Sequence, residues 1–300
     1  MDITIIIPHR NSSKLLKRLL DSYYKKIPNN QTIIIDDRSN NDEKEHLKKL
    51  QNYYKFELYD NFGIGAGAAR NTGIKYIKGK WVLFADADDF FTDSFSETIN
   101  KYINTHYDII FFNVTSYFSE TLKRAHRDKH IKQLMSSCKE SNNDNILRYS
   151  YTVPWGKMFN SIFLKENNFK FEEILAGNDM MFSIQTGIAA NKISYDTTEI
   201  YCNTVAEGSI TNTLNKNLFE SRFQATLRVN NLLKRNNLHK FQISILYFIG
   251  KSYQFGFKYF LHVLYHCIKN KSNFLIGLNK IFNYKDVLLD RQNPTYSKKS

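Results

Sequence analysis

Residues Val82–Phe90 read VLFADADDF: four apolar residues in a row, then Asp86, Asp88 and Asp89 within four positions. Two ionised carboxylates 4 Å apart repel by about 4 kcal/mol at an effective dielectric of 20, so something must compensate them. A solvated turn is one answer, since Asp is a common turn residue. A divalent cation is the other, because Mg²⁺ and Mn²⁺ take oxygen ligands. On this stretch alone the turn is the commoner explanation.

The chain upstream of it alternates. ITIIIP (Ile3–Pro8) and TIIIDD (Thr32–Asp37) are apolar, β-branched runs that read as buried strands. Between them, SSKLLKRLLDSYY carries a helical stripe of Leu15, Leu16, Leu19, Leu20 and Tyr23. NNDEKEHLKKLQNYY reads as a second helix, and KFELYDN as a short third strand. The loop GIGAG opens a helix over AARNTGIKYIKG, and KWVLFADADD is the fourth strand with its acidic exit. Ser94 and Glu97 have capping-box spacing for a following helix, and YDIIFFNV (Tyr107–Val114) reads as another strand.

This order predicts an α/β fold: a mostly parallel, Rossmann-like sheet flanked by helices. Ligands of such sheets sit outside the carboxyl ends of the strands. Pro8-His9-Arg10-Asn11, Asp36-Asp37, the Gly63–Arg70 loop and Asp86–Asp89 all fall at those ends. Four coincidences at one edge turn the acidic stretch from a surface turn into part of a site.

Further along, residues 119–147 are polar and read as an irregular surface insertion. YTVPWGKMF, SIFLKENN and GNDMMFSIQTGIAAN form a mixed segment returning to the sheet, and ISYDTTEIYCN reads as extended. Helices are expected from Lys216 to Lys234 and from Phe241 to Lys269. The expected division is a catalytic domain over 1–213 and a basic, aromatic-rich helical extension over 214–300.

Charge supports that division. The chain's net charge is +13, yet residues 1–213 balance to +1 and residues 214–300 to +12. The distribution does not suit a protein that binds nucleic acid over its whole surface, and no nucleic-acid partner is expected. Three widely spaced cysteines, Cys138, Cys202 and Cys267, fit neither a disulfide framework nor a zinc site. Neither a signal peptide nor an apolar run of about 18 residues is visible, so the expected location is cytoplasmic.

Gly63, Gly65 and Gly67 do not make a dinucleotide fingerprint: the spacing is G-x-G-x-G, and the loop follows the third strand. A phosphate-gripping P-loop is also absent.

ITIIIPHRN, IIIDDRSNN, GAGAARNTGI and LFADADD, in this order and spacing, resemble the nucleotide-sugar-binding half of family 2 glycosyltransferases. PWGKMF and GNDMMF resemble that family's acceptor-side motifs, so the likeness covers roughly residues 1–212. The resemblance implies the GT-A fold and an inverting, metal-dependent transfer from a UDP-sugar. The sugar would be a hexose or N-acetylhexosamine, and the acceptor a glycan of a bacterial surface polysaccharide or oligosaccharide, lipid-linked forms included. It also implies roles: Pro8, His9, Arg10 and Asp37 bordering the uracil, Arg70 near the base or phosphates, and Asp86 with Ala87 facing the ribose. Asp88 would hold Mn²⁺ or Mg²⁺ on the diphosphate, and Asp179 would be the general base. Asn178 stands where the family usually has Glu, and is assigned with Trp155 to the acceptor side. His9 stands where an aromatic residue commonly stacks on the base.

The tail offers less. Lys251, Gln254, Lys258, His262 and Lys269 form a narrow polar stripe on an otherwise apolar helical pattern. That stripe suits either a helix packed on the catalytic domain or a surface that meets an anionic membrane, which would make the protein peripheral on the inner face. Pairing between subunits would also cover the apolar face. Two other classes compete with the transferase. A nucleotidyltransferase would carry a glycine-rich basic loop after the first strand, which PHRNSSK lacks, and a non-catalytic nucleotide-sugar-binding protein would account for the altered Asn178-Asp179 pair.

Overall fold

The computed structural model describes residues 2–27, 30–205 and 215–278. Their elements, in chain order, begin with β1 (Ile3–His9), α1 (Ser13–Tyr23), β2 (Gln31–Asp36), α2 (Asn41–Tyr54), β3 (Glu57–Asp60) and α3 (Gly65–Ile74). Next come β4 (Trp81–Phe84), β5 (Phe90–Phe91), α4 (Phe95–Asn100), β6 (Ile109–Phe118), α5 (Lys129–Ser141) and α6 (Asn145–Ser150). β7 (Lys157–Asn160), α7 (Ser161–Glu166), α8 (Asn178–Ala189) and β8 (Ile193–Val205) complete the sheet region. α9 (Lys216–Arg235), α10 (Leu246–Ser252) and α11 (Phe257–Lys269) follow.

One eight-stranded sheet runs β3-β2-β1-β4-β7-β6-β8-β5. β3, β2, β1 and β4 are mutually parallel, as are β6 and β8, while β7 is antiparallel to both its neighbours and β5 to β8. Because β7 opposes both β4 and β6, the carboxyl ends of β1, β2, β4 and β6 share one edge. Every residue of β2 is buried, as are Ile3, Ile5, Ile6 and Ile7 of β1, which is why these runs are apolar throughout instead of alternating. They belong to one continuous core that extends through Trp81, Phe84, Phe111, Phe159 and Phe182.

Three expectations change. Most of residues 129–150 are helical, in α5 and α6: α5 buries Ile131, Met135 and Cys138 on one face, so the polar character of the stretch is the outer face of a packed helix. α4 forms where expected, but Ser94 makes no side-chain cap because its backbone is already helical at φ −72°, ψ −10°. The expected single helix over Phe241–Lys269 is broken: α10 ends at Ser252, a short 3₁₀ turn follows, and Gly256 at φ +97° redirects the chain into α11.

The break also turns the polar stripe. Lys258, His262 and Lys269 are exposed, but so is an apolar row on α11 at Phe257, Leu261, Tyr265 and Ile268. α9 joins the extension to the body. Its Val229 and Leu233 pack with Ile184 of α8, while Phe219, Phe223 and Leu227 form a second cluster with Ile245, Phe248, Val263 and Cys267. The expected boundary at residue 213 lies outside the described residues. All three cysteines are buried free thiols. No described helix is long and apolar enough to cross a membrane.

Candidate active site

The strand register brings the chemistry-bearing segments together. His9 on β1 pairs with Asp36 on β2, and Asp36 with Asp60 on β3. The Asp37 amide donates to the His9 carbonyl at 2.8 Å, and the Ala85 amide to the Ile6 carbonyl at 3.1 Å, carrying the ladder to the acidic turn. Arg10 is exposed and Pro8 half-buried at this edge.

His9 and Asp37 are structural here as well as positional. The His9 ring is buried: Nε2 accepts from the Ser12 amide at 3.3 Å, and Nδ1 lies 3.4 Å from Asp36 Oδ1. Burial pushes the imidazole below its ordinary value, against the pull of Asp36, which keeps Nε2 an acceptor. Asp37 is buried and accepts from Asn61 Nδ2 at 2.8 Å and the Gly65 amide at 2.9 Å, fixing the entry to α3. Asp36 accepts from the Ser39 amide at 3.3 Å.

The three aspartates of the acidic turn have different fates. Asp89 is 1% exposed and accepts from the Tyr201 hydroxyl at 2.7 Å, the Thr204 amide at 2.7 Å and Asn203 Nδ2 at 3.2 Å. It clamps the turn to β8. Burial, then the charges of Asp88 and Asp86, push its carboxyl well above the usual range. Ala87 is buried. Asp88 is exposed, and among the described residues no ion pair engages its carboxylate, which keeps a contact to its own amide and feels the charges of Arg127 and Arg18; its carbonyl is held by Thr204 Oγ1 at 2.7 Å and by Arg18 Nη2. Lost hydration and then the Asp86 charge raise its carboxyl; its exposure weakens the first cause, leaving the like charge as the firmer one.

Asp86 is taken by Arg70, whose Nη2 lies 2.6 Å from Asp86 Oδ1. Arg70 is no surface charge: it is 5% exposed, its guanidinium lies 5.3 Å from the Phe171 ring centroid, and its Nη1 donates to Asn178 Oδ1 at 2.9 Å. The approach of α3 to this segment depends on Gly67, where a Cβ would sit 2.2 Å from the Glu172 carbonyl oxygen. Gly177, at φ +82°, turns the chain into α8, with Asn178 and Asp179 in its first turn. Asp179 is half-buried; burial raises its carboxyl, and Arg70 is the strongest of the groups that oppose the rise.

Two further residues depart from the sequence reading. Trp155 is 7% exposed and stacks on Tyr201 at 5.7 Å and 16°, so its ring belongs to the core under the acidic turn and not to an open platform. Lys157, which the sequence motifs do not mark, is 1% exposed inside β7. Its Nζ donates to the Tyr151 carbonyl at 2.6 Å and lies 4.6 Å from the Tyr151 ring centroid. Burial drives this amine well below its ordinary value, and the Asp179 charge opposes that. A lysine within the apolar run of PWGKMF was the available signal.

No group of three or more His, Cys, Asp or Glu side chains among the described residues can by itself hold a metal ion. A single uncommitted carboxylate at Asp88 does fit a cation that draws its remaining oxygen ligands from a bound diphosphate.

Residues 4–165 match the family model for Glycosyl transferase family 2. The chain belongs to this family. The family 2 domain and its surroundings are 31% identical over 205 residues to a poly(ribitol-phosphate) beta-glucosyltransferase of Bacillus spizizenii, covering 65% of this chain and 31% of that protein. Identity to the poly(ribitol-phosphate) beta-N-acetylglucosaminyltransferase TarS of Staphylococcus aureus is 26%, over 65% of this chain and 34% of TarS. The chain therefore spans about a third of the length of these relatives. TarP of S. aureus, named for the same activity as TarS, is 26% identical over 95% of this chain and 84% of its own. The crystal structure of TarS 1–349 with UDP-GlcNAc superimposes with a TM-score of 0.62 at 19% identity, over 97% of this chain and 80% of that one. At that identity it establishes the shared GT-A fold. A nucleotidyltransferase assignment has no support beside this membership.

Proposed function

We propose that this family 2 protein transfers a hexose or N-acetylhexosamine from a UDP-sugar to a hydroxyl of a glycan acceptor, with inversion at the anomeric carbon. The acceptor class best supported by the relatives' names is a poly(ribitol-phosphate)-like polymer. The observation that carries the reading is the Arg70 bridge. It ties Asp86, two residues from the uncommitted Asp88, to the helix turn that bears Asp179.

Each residue then has a task. Asp88 would hold Mn²⁺ or Mg²⁺, and the bound ion would supply neutralisation of the charge that grows on the departing diphosphate. Pro8, Arg10 and Asp37 border the nucleotide edge, and Asp86, held by Arg70, faces the ribose. Asp179 takes the acceptor hydroxyl's proton as that oxygen attacks the anomeric carbon opposite the leaving group. Burial suits it, because a raised carboxyl is the stronger base. The altered pair Asn178-Asp179 leaves this carboxylate in place, which favours catalysis over mere binding. The test is a panel of UDP-sugars with Mn²⁺, a ribitol-phosphate oligomer as acceptor, and UDP release as readout. Turnover of one donor, lost in Asp88→Ala, is expected; release of no UDP from any donor contradicts the reading.

A second observation concerns location. The exposed row Phe257, Leu261, Tyr265 and Ile268 runs along α11 beside the exposed Lys258 and Lys269. Aromatic and lysine side chains on one amphipathic helix suit an anionic bilayer surface, and peripheral attachment there would bring the enzyme to a membrane-displayed acceptor.

A further inference from the structure

Arg70 makes one contact to each side of the site. Nη2 reaches Asp86 at 2.6 Å and Nη1 reaches Asn178 Oδ1 at 2.9 Å, with the Phe171 ring against the guanidinium and only 5% of the residue exposed. A guanidinium has no acceptor atoms, so the partner atom on residue 178 must be the amide oxygen, and the orientation of that side chain is fixed. The amide is neutral. A carboxylate there would form a second ion pair with Arg70 and claim much of its field.

We propose that Arg70 and Asn178 are a positioning pair for Asp179: the guanidinium ties the acidic turn to the first turn of α8, and the neutral amide leaves its charge for Asp86 and Asp179 alone. The inference rests on the reading of Asp179 as the base, and adds to it what sets that base's readiness. The charged groups that bear on Asp179 are Arg70 from α3, Asp86 from the β4 exit and Lys157 from β7. From α9, Arg222 packs with its backbone against Gly177, just before the same turn. Of these, Arg70 gives the largest support to the ionised form.

Two substitutions separate this role from a general effect of charge. Asn178→Asp draws Arg70 into an ion pair; Asn178→Ala adds no charge and removes the tether, so the guanidinium relaxes onto Asp86. Titration of the Asp179 carboxyl by ¹³C NMR, with its signal identified by loss in Asp179→Asn, requires neither a donor nor an acceptor. In both variants the Asp179 midpoint is expected to move up by about one pH unit, the order of effect a nearby charge has on a carboxyl, and both stay folded, Asn178→Ala with a lower melting temperature because it leaves a buried Arg70 donor unpaired. An upward shift in Asn178→Asp alone, as any added carboxylate gives, overturns the pairing, and so does no shift in either. The base assignment is tested apart from this, by turnover of Asp179→Asn: transfer retained there sinks the base while the NMR result stands or falls by itself.

Discussion

The Tyr201 hydroxyl lies 2.7 Å from Asp89 Oδ2 and 2.9 Å from the backbone nitrogen of Asp86. It donates to the first and accepts from the second, so a single buried phenol on β8 holds both ends of the acidic turn. Replacing it by Phe leaves the Asp86 amide without an acceptor and Asp89 short of a donor. We expect Tyr201→Phe to lose about 1 to 3 kcal/mol of stability. Mn²⁺-supported UDP binding should weaken with it, because Asp88 lies inside the loosened turn. Calorimetric unfolding and titration check both; wild-type values in both would contradict this role.

Among the described residues no ion pair and no side-chain hydrogen bond engages the Asp88 carboxylate, whereas Arg70 holds Asp86 and Tyr201 holds Asp89. Asp88→Ala should therefore remove Mn²⁺-supported UDP binding while leaving the fold intact. Isothermal titration checks it, and unchanged affinity would remove Asp88 from the cation site.

Burial raises the Asp179 carboxyl above its ordinary value, so the folded state holds that proton more tightly than the unfolded chain. Its ionisation then costs stability, a cost absent below the unfolded value and complete above the folded one. Asp179→Asn should melt higher than wild type at neutral pH, with the advantage shrinking as pH falls into the ordinary carboxylate range. Melting curves at several pH values decide it; an advantage independent of pH would not come from this carboxyl.

On α11, each exposed cation facing an anionic bilayer contributes about 1 kcal/mol. Wild-type protein should sediment with phosphatidylserine-containing liposomes at low salt, and Lys258→Glu with Lys269→Glu should abolish this without altering UDP binding. Failure of the wild type to sediment contradicts the membrane reading, and concentration-dependent self-association would then assign the apolar row to a second copy.

The sheet was legible because its strands are buried on both faces: ITIIIP and TIIIDD have no alternation to misread. The position of the candidate site follows from the strand ends. What sequence could not give was which polar residues the fold consumes. His9 and Asp37 sit at the expected edge and also hold the fold together there, His9 Nε2 with the Ser12 amide and Asp37 with Asn61 and Gly65. Arg70 was expected near the base or phosphates, but its partners within the protein, Asp86 and Asn178, lie 16 and 108 residues away and leave no trace in local sequence. Periodicity carried the tail reading across Gly256, where a left-handed turn rotates the following helix and brings an apolar row to the surface.

The most direct measurement is turnover by Asp179→Asn on the donor and acceptor that the UDP-sugar panel selects. If Asp179 takes the acceptor's proton, the variant binds the UDP-sugar with wild-type affinity and loses transfer by about 10²-fold or more. Transfer near the wild-type rate, with donor binding intact, would contradict the account by showing that another group is the base.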